Sequence, residues 1–277
     1  MLLPVTTDCD FEDEAEAMIG SLANYSHCNR EIDRHAEIKT PDKQLIARFI
    51  PHALSELEME LAMPVLQAIK TRPQNRGNAT YRGAMMPRIL KKEQKLSRTN
   101  VIPPEVSKLI GFSDQLGYLD SAKGGSKKRH THYCRRTGLT LKHPEYLVAI
   151  KPAVRKCDEL FAEELPDEYA KQVAEIAPAG RMRITPAFST ANCNRDWQTA
   201  YHKDKNDLRD GYCGMFALGK YEGGDLVMPR YRLRFNMKRG DLIIMRPHEV
   251  HGNLSFTGER LTCVMFARER IASCGSR

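Results

Sequence analysis

The chain has 277 residues, 41% hydrophobic and 28% charged, a balance that suits one large globular domain or a catalytic domain with a small helical piece. No apolar run reaches the roughly 20 residues of a membrane span, and the start MLLPVTTDCDFEDEAEAM has no basic leader before an apolar stretch. No membrane association is therefore expected, and the protein is read as cytoplasmic or nucleic-acid-associated, not secreted. A net charge of +8 with a pI near 9.0 suits a polyanionic partner.

Residues 11–70 read mainly as helix, clearest where Ala53 to Leu61 places apolar residues at helical spacing continued by Val65, Leu66 and Ile69, with Pro73 ending it. Pro103-Pro104 is expected to open a short helix over 104–120. The stretch 121–138 reads as a basic loop, in which Lys127, Lys128, Arg129, Arg135 and Arg136 form a candidate phosphate-contacting strip. Its Arg129-His130-Thr131-His132-Tyr133-Cys134 run lacks the second ligand pair that a zinc site needs. Helices are expected over 142–163 and 166–176. From about Arg181 short apolar runs alternate with Gly-Gly, Arg-Gly-Asp and Thr-Gly-Glu turns, the texture of a β-sandwich or jelly roll. The fold is therefore expected to be α+β, a double-stranded β-helix with packed helices largely from the N-terminal half. The division is a helical part at 1–120 and a core at 121–277. The eight cysteines are scattered, without a CxxC pair, and are expected to be free thiols.

The chemistry lies in Tyr201-His202-Lys203-Asp204. His and Asp two apart on a strand share a face, and two imidazoles with one carboxylate leave three adjacent positions open on a six-coordinate Fe(II). His251, in His251-Gly252-Asn253, supplies the third ligand. His248 is the rival, and the small Gly252 favours His251. Arg260 follows nine residues later. A buried guanidinium needs a carboxylate partner, and a dicarboxylic cosubstrate would supply one through two parallel hydrogen bonds. Thr262 shares its face and could add a hydroxyl.

These residues resemble the oxygenase domain of the TET and J-binding-protein family from about Thr185 to Arg268. The likeness is carried by Ala187-Phe188-Ser189-Thr190, Ala200 to Asp207, Gly214 to Leu218, Gly223-Gly224-Asp225-Leu226, Gly240-Asp241-Leu242, His251-Gly252-Asn253 and Arg260-Leu261-Thr262. The resemblance implies a compact microbial or phage-like member without the cysteine-rich zinc region of animal TET enzymes. It implies Fe(II) on His202, Asp204 and His251, and 2-oxoglutarate on Arg260. O2 would be the cosubstrate, with ascorbate as a possible reductant.

The same resemblance implies a flipped 5-methylpyrimidine in DNA, packed on Phe266, with Asn206, Asp207 and Arg268 near the base. Asp207 and Arg268 stand where animal TET enzymes carry Asn and His, so the base is open between 5-methylcytosine, expected first, and thymine. The protein is expected to be a monomer. Arg82, Arg181 and Arg183 are candidates for the inner carboxylate of 2-oxoglutarate. The competing readings are an oxygenase acting on a protein side chain or small molecule, and a nonenzymatic basic nucleic-acid-binding module.

Overall fold

A computed structural model describes residues 2–7, 10–71, 111–123 and 131–274. Their strands are β1 (Leu3–Thr6), β2 (Arg30–Ile32), β3 (Ala36–Lys39), β4 (Leu45–Ile50), β5 (Phe112–Lys123), β6 (Thr131–Arg136), β7 (Thr190–Arg195), β8 (Cys213–Gly223), β9 (Leu226–Met228), β10 (Leu233–Phe235), β11 (Leu242–Met245), β12 (Gly252–Asn253) and β13 (Phe256–Phe266). Their helices are α1 (Glu12–Ala17), α2 (Glu56–Gln67), α3 (Gly138–Lys142), α4 (Pro144–Glu164) and α5 (Pro166–Ile176). Among the described residues nine strands form one sheet, in the order β1-β3-β4-β11-β8-β13-β7-β5-β6. Four form a second, β12-β9-β10-β2. The architecture is α+β, a double-stranded β-helix with helices laid on one face of its larger sheet.

Side-chain alternation divides the core into two layers. Phe216, Leu218, Leu242, Ile244, Leu261, Cys263 and Met265 pack with Met59, Val65, Leu66, Ile150, Val154 and Phe161 of α2 and α4. Met215, Ala217, Ile243 and Met245, on the other face, meet Leu226, Met228, Leu233 and Phe235 of the smaller sheet. Helix α2 starts at a capping box, where the Ser55 side chain accepts from the Glu58 N–H and Glu58 accepts from the Ser55 N–H. The helices expected over 142–163 and 166–176 are α4 and α5.

Several expectations for the first 138 residues are corrected. Residues 11–70 are not mainly helical: β2, β3 and β4 lie among them, and β4 is central enough to pair with β11. Every residue of Leu45-Ile46-Ala47-Arg48-Phe49-Ile50 is buried, so both faces are covered and the two-residue alternation that marks a half-exposed strand is missing. The division at 120/121 falls inside β5, and the larger sheet takes strands from both sides of it. Residues 112–120 are strand rather than helix, and 131–136 form an edge strand rather than loop. Charged side chains are common on exposed edges, where they discourage further pairing, and here they gave β6 the composition of a loop. The packed helices come from both halves, since α3 to α5 lie beyond residue 137.

A disulfide joins Cys134 of β6 to Cys274, with Cα atoms 5.7 Å apart. The free-thiol expectation is corrected for that pair, whose sequence separation of 140 hides the contact. Cys28, Cys157, Cys193, Cys213 and Cys263 are free. Among the described residues no helix is long and apolar enough to cross a membrane.

Candidate active site

A cavity of about 590 Å³ opens between the two sheets. Its lining includes His202, Asp204, Asn206, Asp207, His251, Arg260, Thr262, Phe266 and Arg268, so nine residues singled out from the sequence meet in one place.

The imidazoles are brought together by backbone. His202 and His251 form an isolated antiparallel bridge, with N–H to O distances of 2.9 and 3.0 Å in the two directions. His202 therefore does not lie on a regular strand, and His251 stands just ahead of β12. Gly252 makes the approach possible, because a Cβ there would stand 3.0 Å from Tyr201 Cδ1 and 3.1 Å from Tyr201 N. Asn253 closes the same seam, its Oδ1 accepting from the N–H and hydroxyl of Thr199 at 2.8 Å each. From outside, the segment after α1 pairs with Tyr201: Gly20 N–H donates to Tyr201 O and Tyr201 N–H to Ser21 O, while Lys203 pairs with Glu16.

Each imidazole uses Nδ1 against a backbone carbonyl, His202 on Ala200 O and His251 on Glu249 O, both at 2.8 Å. A carbonyl only accepts, so Nδ1 carries the proton and the Nε2 lone pair faces the cavity, as a metal ligand requires. Asp204 Oδ1 lies 3.7 Å from His202 Nε2, and Oδ2 lies 3.7 Å from His251 Nε2. That is too long for the three groups to satisfy one another by hydrogen bonds and short enough for one ion to bind all of them. The donor atoms lie within 4.8 Å of one another. Burial, aided by nearby His202, pushes the His251 pKa down to about 4, so this ring is neutral at ordinary pH. Two imidazole Nε2 atoms and one carboxylate, confined to one side of the space, fit a divalent iron with open positions. His248 is turned away, its Nε2 against Asp207 O at 3.2 Å.

Arg260, Thr262, Val264 and Phe266 share one face of β13 and line the opposite wall, while Leu261, Cys263 and Met265 face the helices. Arg260 is 5% exposed, and its Nε and Nη2 have no hydrogen-bond partner among the described residues. The guanidinium lies 5.5 Å from the Tyr221 ring and 5.8 Å from the Phe256 ring. Burial holds its pKa below the usual arginine range, offset in part by Tyr221 and Asp225. Gly224 clears its path, because a Cβ there would meet Arg260 Nε at 2.7 Å. A buried cation with two idle nitrogens is costly alone and becomes favourable when a carboxylate enters. This wall therefore fits a dicarboxylate beside the metal ligands.

At the rim, Asp207 and Arg268 form a second isolated bridge. Arg268 Nε donates to Asp120 Oδ1 of β5 at 2.8 Å. Asn206 is exposed and Asp207 buried. Arg135 and Arg136 are exposed on β6, away from the cavity lining. Lys127, Lys128, Arg129 and Arg82 lie outside the described residues. Neither Arg181 nor Arg183 reaches the cavity, and Arg183 instead donates to Gly180 O and Pro186 O. Sequence reasoning missed the amides Gln115, Asn192 and Asn194 in the lining. The signal for the two asparagines was present in Thr190-Ala191-Asn192-Cys193-Asn194, where they alternate with buried apolar residues on one strand.

Residues 116–269 match the Tet_JBP family, described as the oxygenase domain of the 2OGFeDO superfamily. The chain is 31% identical over 147 residues to thymine dioxygenase JBP1 of Trypanosoma brucei brucei, covering 50% of this chain and 17% of that protein. It is 25% identical over 258 residues to thymine dioxygenase JBP1-A of Trypanosoma cruzi, covering 89% of this chain and 27% of that one. The chain thus spans less than a third of the length of these curated relatives. Among solved structures, NgTET1 in complex with 5mC DNA shares the fold, with a TM-score of 0.57 at 12% identity over 96% of this chain and 82% of that one. With the match extending over more than half its length, this chain belongs to the TET/JBP family of oxygenase domains, within the 2-oxoglutarate- and Fe(II)-dependent dioxygenase superfamily.

Proposed function

We propose that this chain hydroxylates the 5-methyl group of a pyrimidine in DNA, with thymine as the first base to test and 5-methyluracil oxidised to 5-hydroxymethyluracil. The observation that carries the reading is the meeting, in one cavity, of a His-Asp-His donor set and a buried arginine with two nitrogens that have no partner among the described residues. Fe(II), which His202, Asp204 and His251 would hold, would together with 2-oxoglutarate and O2 supply the oxidising power that replaces a methyl C–H by C–OH while the keto-diacid becomes succinate and CO2.

The chain's own residues orient and exclude. His202 and His251 present Nε2 because their Nδ1 protons are held on carbonyls, and Asp204 completes the set. Arg260 and Thr262 receive the distal carboxylate of 2-oxoglutarate. Met215, Leu226, Met245 and Val264 give that region an apolar lining that keeps bulk water from the reacting carbon. The space is within the roughly 300–1,000 Å³ of small-molecule sites, and it suits a keto-diacid together with one nucleobase. A base stacked in a duplex cannot reach a recessed centre, so the nucleotide is flipped out. Phe266 then meets its face. Asp207 accepts from its edge and Arg268 donates. Exposed cations on β6, Arg135 and Arg136, contact the phosphates.

Thymine stands first because the curated relatives are thymine dioxygenases. 5-Methylcytosine is the second reading, because the Asp207 carboxylate could accept from its N4 amino group as well as from the N3–H of thymine. The test is mass spectrometry of nucleosides after incubating duplexes that contain either base with protein, Fe(II), ascorbate and 2-oxoglutarate. The expected product is 5-hydroxymethyl-2′-deoxyuridine. 5-Hydroxymethylcytosine alone would select the second reading, and succinate formation that ignores both duplexes would overturn the DNA assignment.

A further inference from the structure

Three neighbouring strands carry a row of polar side chains behind the arginine wall. Ser113 of β5 is the Cα partner of Asn194 of β7, and Asn194 is the Cα partner of Thr262 of β13. All three are buried, at 3%, 8% and 4% exposure. The Ser113 hydroxyl donates to Asn194 Oδ1 at 2.7 Å, and Asn192 Nδ2 donates to the same oxygen at 3.1 Å. Asn194 Nδ2 then donates to Thr262 Oγ1 at 3.2 Å. The Ser113 hydroxyl also lies 3.2 Å from Asn192 Oδ1, and its single proton goes to the shorter contact; with Asn192 Nδ2 as the second donor, this arrangement sets the Asn194 oxygen toward Ser113 and its NH2 toward Thr262.

The consequence falls on Thr262. Its oxygen already accepts a hydrogen bond from Asn194, and its own proton has no acceptor among the described residues. Both Thr262 and Arg260 line the cavity from the same strand face. We propose that Asn194 is a positioning residue for the cosubstrate: by occupying a lone pair of Thr262, it makes that hydroxyl a donor toward the carboxylate held by Arg260. The proposal rests on the reading that Arg260 and Thr262 receive the distal carboxylate of 2-oxoglutarate. It adds a polar relay from β5 through β7 to β13 that sets the sign of the contact. Asn194→Asp, nearly isosteric, reverses that sign. A carboxylate at 194 accepts the Thr262 proton, and the hydroxyl then turns a lone pair toward the incoming anion.

The measurement is equilibrium binding of 2-oxoglutarate to the full chain loaded with Mn(II), without O2 and without turnover, together with Mn(II) affinity in the absence of 2-oxoglutarate. Wild type is expected to bind. N194D is expected to raise the 2-oxoglutarate Kd about tenfold or more, as for a lost hydrogen bond to a charged group, and to leave Mn(II) affinity unchanged. T262V raises it similarly and T262S restores it. Asn194→Ala is the neutral probe, and its effect is expected to vanish in the T262V background, whereas the N194D carboxylate keeps its own repulsion of the anion there. The proposal is overturned if the N194A and T262V effects multiply, or if T262V weakens binding while both Asn194 variants bind like wild type. Failure of wild type to bind 2-oxoglutarate would instead remove the cosubstrate reading, and this proposal with it.

Discussion

Arg260, Thr262, Val264 and Phe266 sit on an eleven-residue strand hydrogen-bonded to β8 along one edge and β7 along the other. Across the cavity, His202 and His251 meet in a single bridge, and Asp204 stands on the irregular backbone just beyond it. One wall inherits its geometry from a sheet. The other is assembled from two crossing segments that Gly252, Asn253 and the stretch after α1 hold in contact. The regular wall can hold an expensive buried cation rigidly. The irregular wall places three donors where no regular strand would bring them. If that division is real, substitutions on the two walls should fail in different ways.

The largest effect is expected at the metal wall. Asp204→Ala should lower Fe(II) or Mn(II) affinity by more than about 100-fold, beyond the 10–100-fold typical of losing an outer partner. Turnover should fall below detection while urea unfolding of metal-free protein shifts little, because the Asp204 side chain is about a third exposed. Metal titration by calorimetry checks the first part. A large loss of metal-free stability would show that Asp204 holds the fold and would break the comparison.

At the sheet wall the sign of stability should reverse. Arg260→Met removes a buried guanidinium whose Nε and Nη2 have no partner among the described residues. Replacing buried charge by packed apolar volume is commonly neutral or stabilising by about 1–4 kcal/mol. Metal-free Arg260→Met should therefore resist urea better than wild type, bind Mn(II) normally and fail to bind 2-oxoglutarate. Reduced stability in this variant would mean that the rings of Tyr221 and Phe256 already satisfy the cation.

How much of each wall could be read in advance follows from its construction. The sheet wall was legible because β13 alternates: Arg260, Thr262 and Phe266 fall on one face by parity alone. The metal wall was legible as a motif but not as backbone, since His-x-Asp suggested a strand and the structure places it at a bridge and turn. Gly252 favoured His251 over His248 by its size, and what that size admits is Tyr201. The strands that frame the sheet were less legible for opposite reasons. β4 is buried on both faces and so lacks a period, while the charged edge β6 resembles a loop. The pairing of Cys134 with Cys274, and of Asp120 with Arg268, joins parts of the chain that local pattern cannot connect.

A smaller loss should come from Gly252→Ala. Its Cβ would stand 3.0 to 3.3 Å from Tyr201 and Ala200, tight enough that one segment must shift. Overpacking of this kind costs about 1–3 kcal/mol. Because the shift separates the bridge, metal affinity should fall by roughly tenfold as well, while 2-oxoglutarate binding to protein saturated with Mn(II) stays near wild type. Calorimetry with each ligand in turn checks both. Weakened 2-oxoglutarate binding to the metal-saturated variant would show that strain crosses the cavity.

The smallest effect is expected where the rim meets β5. Arg268 has its backbone fixed without help from Asp120, by the bridge to Asp207 and by its N–H donating to Ser189 Oγ at 3.1 Å. Asp120 holds only the guanidinium, in a pair whose side chains are 19% and 13% exposed. Asp120→Asn removes the charge but keeps an oxygen to which Arg268 Nε can donate, so it should cost less than the roughly 3–5 kcal/mol of breaking a largely buried pair outright and leave metal and 2-oxoglutarate binding unchanged. Freed of its partner, the guanidinium can reach other acceptors, on the base edge or on a phosphate. The ratio of thymine to 5-methylcytosine oxidation should then move by a few-fold in competition assays on mixed duplexes. An unchanged ratio would mean that Arg268 does not face the base. A changed 2-oxoglutarate affinity would mean that rim and wall act as one unit, because Asp120 touches only the rim.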